Sequence, residues 1–187
     1  LEQYHLLDRK LPDVTNANCW AHARRAFADA VKAADKKDPQ AVKSSVAYRA
    51  LQKIAEFYSI DTGLKELPKE ERLKQRQEKI QPMVEEFFAW VKQQVSEYAV
   101  PPKSKTGQGL NFIINQEKYL KVFLTDGDVP IDNSASERAI RTFCVGKKNW
   151  MFHNTARGAE ASALVYSISE TAKLNNLRPY YYFRHIL

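Results

Sequence analysis

Apolar residues that return every three or four positions constrain this chain more than any other feature. Trp20, Ala23, Phe27, Ala30, Val31 and Ala34 fall on one face at helical spacing, and Asp38-Pro39 supplies a stop. Ala47, Ala50, Leu51, Ile54, Phe57 and Tyr58 make a second such face, ending near Asp61-Thr62-Gly63. Ile80, Val84, Phe87, Phe88, Val91 and Val95 make a third. The charged stretch Lys69 to Lys79 before it reads as an exposed helix, and Pro82 should kink or divide the whole. Pro101-Pro102 and the run Lys103 to Gly109 read as a basic, flexible connection. Leu110, Ile113, Ile114, Leu120, Phe123 and Leu124 then predict a helix that reaches the turn at Asp126-Gly127.

The two ends are less regular. Tyr4, Leu7 and Leu11 mark a short helix closed by Pro12, and Val14 to Trp20 a brief strand. Beyond Pro130, Ala135 to Thr142 predicts a short helix. Phe143-Cys144-Val145 and Trp150-Met151-Phe152 then predict two strands about the turn Gly146-Lys147-Lys148-Asn149. Ala161 to Lys173 predicts a last helix before Tyr180-Tyr181-Tyr182. The expected fold is mainly α, with a short β-hairpin near the C-terminus.

A chain of 187 residues that is 44% hydrophobic can bury a real core, which excludes intrinsic disorder. No apolar stretch approaches bilayer length and no signal-peptide pattern opens the chain, so no membrane role is expected. Cys19 and Cys144 are far apart and outside any C-x-x-C spacing, which fits a reducing cytoplasm. A net charge of +7 favours polyanions such as nucleic acid, although a soluble protein can be basic without such a partner.

Three clusters bear on chemistry. In Asp132-Asn133-Ser134-Ala135-Ser136-Glu137-Arg138-Ala139-Ile140-Arg141, Ser134 and Glu137 match a capping box, and spacing alone favours that structural role. A carboxylate beside Arg138, Arg141, Lys147 and Lys148 is also what a phosphodiester site requires: the carboxylate holds a metal and the cations hold phosphates. In Cys19-Trp20-Ala21-His22-Ala23-Arg24-Arg25, Cys19 and His22 lack the further ligands that zinc needs. Arg24 and Arg25 fit phosphate contacts and an ordinary solvated helix face equally well. Lys147 and Lys148 fit a basic turn that grips DNA and a solubilised hairpin equally well. No nucleotide-binding glycine motif and no serine-hydrolase elbow is present.

Together these segments resemble the insertion-sequence-66 type transposases. The resemblance rests on Cys19-Trp20-Ala21-His22-Ala23-Arg24-Arg25 with Phe27, and on Asp132-Asn133 followed by Glu137-Arg138 and Arg141. It extends to Gly146-Lys147-Lys148-Asn149-Trp150 with Phe152, to Gly158 through Ala163, and to Tyr166-Ser167, Glu170 through Lys173 and Pro179-Tyr180. It implies a partial ribonuclease H-like catalytic domain: residues 1–20 a remnant of its core, 21–105 a helical insertion, 106–187 the Glu-bearing helix, hairpin and C-terminal helix.

The same resemblance makes Glu137 the third catalytic carboxylate and a ligand of Mg²⁺ or Mn²⁺ in the intact enzyme, which cleaves and joins DNA strands. Arg24, Arg25, Arg138, Arg141, Lys147 and Lys148 become the contacts to double-stranded DNA at element ends. The family's two catalytic Asp lie upstream of the Cys-Trp-Ala-His motif, the second within Asp-Gly-Tyr. Asp8, Asp13 and Asp126 lack that context, and Ser134 stands where the family tends to have a second Asn. The chain is therefore expected to be a fragment that binds no metal and is inactive alone, with apolar surface that favours a homo-oligomer. The alternatives are a non-catalytic helical DNA-binding or regulatory module, in which Glu137 only caps a helix, and a basic interaction domain with no nucleic-acid role.

Overall fold

The computed structural model describes residues 11, 13–34, 38–97, 100–150 and 153–187, and the regular structure among them is entirely helical. The chain divides into two units, Leu1–Asn133 and Ser134–Leu187.

In the first unit the apolar faces become α1 (Trp20–Ala33), α3 (Val46–Gly63), α5 (Gln81–Ser96) and α6 (Lys105–Asn115). Between them lie the short α2 (Pro39–Ser44), α4 (Lys69–Gln75) and α7 (Glu117–Leu120). Side-chain oxygens of Asp38, Ser45 and Ser104 accept the backbone N–H of Ala41, Tyr48 and Gly107, capping α2, α3 and α6. The break expected at Pro82 takes the form of a π-helical turn, Arg76–Ile80, directly before α5. Its wider winding lets the chain meet a residue that has no N–H to donate.

Trp20 is the hub of the core. Its ring meets Phe57 edge-on with centroids 5.3 Å apart, and Phe87, Phe88 and Phe123 surround it at 5.9 to 6.4 Å. The indole N–H donates to the Leu120 carbonyl at 2.8 Å, so the one polar atom of this buried side chain is satisfied. Helix α1 packs on α3 and α6, and α5 packs on α6. Gly109 sits where α6 crosses α1: a Cβ there would lie 2.8 Å from the Phe27 ring. Gly109→Ala is expected to force the helices apart and destabilise the unit by about 1–3 kcal/mol, the range for overpacking a tight core. A urea midpoint equal to wild type would refute it.

The charged stretch read as an exposed helix is largely so, except at Arg76. Arg76 is 3% exposed and pairs with Asp61, itself 4% exposed, at 2.7 Å. The same guanidinium donates to the carbonyls of Phe123 and Val129 at 3.0 and 2.8 Å and to those of Asp126 and Gly127 at 3.2 and 3.4 Å. Arg72 adds donations to Leu64, Lys65, Leu67 and Gly127. Two arginines thus pin the 123–129 loop to the helices.

The second unit holds α8 (Ser134–Trp150), α9 (Ala156–Leu174) and α10 (Pro179–Ile186). Of its described residues only Ala172 is buried; Ile140, Val145, Leu164, Val165 and Leu174 are each more than half exposed. Phe143 meets Tyr166 edge-on at 5.3 Å, joining α8 to α9.

Three expectations are overturned. The described residues contain no β-strand, so neither the partial ribonuclease H-like core nor the C-terminal hairpin is present among them. Residues 143–150 continue α8 rather than forming strands, and 14–19 is non-helical chain that pairs with no strand. Continuing a helix adds one hydrogen bond per residue fixed, whereas a new strand must find a partner. The flexible connection is also shorter than expected, because α6 already begins at Lys105. The helix expected around Tyr4 and Leu7, and the strand residues Met151 and Phe152, lie outside the described residues.

Candidate functional site

Two motifs far apart in sequence meet in the first unit. The Asn18 N–H donates to the Tyr119 carbonyl at 3.0 Å and the Trp20 N–H to that of Ile131 at 3.2 Å. This fastens the start of α1 beside the 131–133 segment. The Asn133 N–H then points at the Cys19 sulfur, 3.5 Å away and 114 residues distant in sequence. Tyr58 of α3 completes the group. Its phenol is driven well above its usual pKa, first by burial and then by the Asp132 carboxylate beside it, with the Arg24 cation opposing. The phenol therefore stays protonated next to a carboxylate. Arg24 stands on α1 and is exposed.

Glu137 occupies the first turn of α8, where the helix dipole favours an anion. Helix α8 begins at Ser134, so Asn133, not Ser134, precedes its first helical residue. Glu137, Arg138 and Arg141 are exposed and line one open cleft of about 440 Å³ together with Ser134 and Cys144. One carboxylate and two guanidiniums share this surface. Such an arrangement can hold phosphate oxygens, but it does not by itself make a metal centre. A divalent ion that prefers oxygen needs several such ligands. Among the described residues no three His, Cys, Asp or Glu side chains converge as such a centre requires. The described residues by themselves do not make a site for a resident metal ion.

Arg25, exposed like Arg24, lies instead in a groove with His22 and Lys105. Lys147 and Lys148 fall in the last turn of α8, and their side chains lie outside the described residues. The structure thus brings Arg138 and Arg141 to Glu137 and separates Arg24 from Arg25.

A family model of the transposase IS66 family matches residues 2–161, most of the chain. The chain belongs to that family. Among its relatives is the uncharacterized protein y4hP of Sinorhizobium fredii (strain NBRC 101917 / NGR234), 32% identical over 91% of this chain and 31% of that protein. The uncharacterized proteins y4qI and y4jD of the same organism are 29% and 28% identical over 87% and 91% of the chain, covering 28% and 32% of their own lengths. This IS66 family chain therefore spans about a third of the length of the curated relatives it matches. No solved structure matches it. Among the described residues no helix is long and apolar enough to cross a membrane.

Two residues beside the family motifs were not visible as functional candidates in the sequence. Tyr58 read as one more apolar position on α3, and Lys105 as part of a loose basic connection. The Ser104 cap was the available signal for Lys105, since Ser before a periodic segment marks a helix start.

Proposed function

We propose that this IS66 family chain is the portion of a DNA transposase that contributes Glu137 to the strand-cleaving and strand-joining centre. Arg24, Arg25, Arg138, Arg141, Lys147 and Lys148 hold the backbone of double-stranded DNA at the element ends. Mg²⁺ or Mn²⁺ is the ion this reading implies for the assembled enzyme. Glu137 is the one carboxylate among the residues lining its cleft, so the ion requires further carboxylates from elsewhere. The observation that supports the reading best is that Glu137 opens to solvent in one cleft with Arg138 and Arg141. A carboxylate kept only to cap a helix needs no such cations.

The test is Glu137→Gln in the product of the whole reading frame, assayed for Mg²⁺- or Mn²⁺-dependent cleavage of element-end DNA. Changes to groups that merely support a metal ligand reduce activity by about 10–100-fold, so loss of the ligand itself is expected to exceed about 100-fold with DNA affinity retained. Unchanged cleavage would leave Glu137 a helix-terminal residue and favour a DNA-binding or regulatory module.

A further inference from the structure

Where Gly109 lets α6 approach the Phe27 ring of α1, the two helices leave a groove of about 270 Å³ beside their contact. His22 and Arg25 line it from α1, Lys105 and Gln108 from α6, and Asp29 is the one carboxylate among its lining residues. All five are exposed residues, so the groove is open to solvent along both walls. Arg24, the neighbour of Arg25, is not among the lining residues.

We propose that this groove seats the sugar-phosphate backbone of a nucleic-acid strand, a role that rests on the DNA contact proposed above and locates it in the unit Leu1–Asn133. Cations on opposite walls suit a chain of phosphates running between two helices, and the Gln108 amide adds a donor for a phosphate oxygen or sugar hydroxyl. An anionic membrane carries the same charge but fits the shape poorly. A concave groove admits a strand, whereas a bilayer surface is met by apolar side chains that project outward. Gly109 is part of the device: any side chain there would separate the walls.

The experiment measures fluorescence anisotropy of a labelled 30-base-pair duplex of arbitrary sequence with the 187-residue chain, across a salt series. Arg25→Gln and Lys105→Gln should each lower the slope of log affinity against log salt by about 1, and the double variant by about 2. Asp29→Asn should tighten binding by about 2–5-fold, the range of a single surface charge interaction, and a gain cannot arise from misfolding. Salt-dependent wild-type binding with unaltered slopes in both variants overturns the groove but spares the DNA reading at Arg138 and Arg141. No salt-dependent binding by the wild type removes both. If Arg25 and Lys105 govern binding to anionic phospholipid vesicles and leave duplex affinity unmoved, the groove belongs to a membrane surface and the proposal fails.

Discussion

Asp61→Asn is expected to destabilise the unit Leu1–Asn133 by about 3–5 kcal/mol, because it strands the buried Arg76 guanidinium without its counter-charge. For a chain of this size that corresponds to a fall in melting temperature of roughly 6–20 °C. Arg76→Met should lose at least as much. It leaves the Asp61 carboxylate buried and also takes donors from the carbonyls of Phe123, Asp126 and Val129. The pair Asp61→Leu/Arg76→Met separates the two effects. Replacing a buried ion pair with matched apolar side chains is often neutral or stabilising. Here the loop carbonyls would remain unpaired, at about 1–3 kcal/mol for each one kept from water. Urea unfolding with an unchanged m-value reads the result directly. A double variant as stable as wild type would show that the loop does not depend on the guanidinium.

Trp20→Ala is the second large effect, expected at about 3–5 kcal/mol for emptying the centre of an aromatic cluster. Trp20→Phe should fall well short of that loss, since it keeps most of the ring volume and forfeits mainly the 2.8 Å hydrogen bond to Leu120. The comparison, again by urea midpoint, divides packing from polar satisfaction; equal losses in the two variants would assign the whole effect to the hydrogen bond. The position matters beyond stability. Trp20 joins α1 to Ile131 through its backbone N–H, directly ahead of Asp132 and Asn133. The Trp of the Cys-Trp-Ala-His motif is thus a core residue whose placement sets where the second motif begins.

The long helices were legible because their period is unambiguous: Trp20, Ala23 and Phe27 are all buried on one face of α1, as are Ala47, Ala50, Ile54 and Phe57 on α3. The hairpin was misread for a physical reason. Phe143, Cys144 and Val145 form a short apolar run, and such runs fit a strand and a buried helical turn equally well. Gly146 looked like a turn, but one interior glycine opposes a helix by only about 1 kcal/mol relative to alanine. Arg76 was hidden in a charged run because its partner, Asp61, lies 15 residues away on another helix. Gly107 and Gly109 made the start of α6 look loose, yet both are buried and both are needed for close approach. As for the candidate site, its residue types and order could be read from the chain. The meeting of Cys19 with Asn133 and of Tyr58 with Asp132 could not, since nothing local encodes contacts across so many residues.

The separate surroundings of Arg24 and Arg25 have a consequence for how basic segments are read. An α-helix turns about 100° per residue, so adjacent side chains belong to different neighbourhoods in space. A tally of positive charges along Arg24-Arg25 therefore overstates how many can meet the same phosphate. In this chain Arg25 lines the groove between α1 and α6, and its neighbour Arg24 does not.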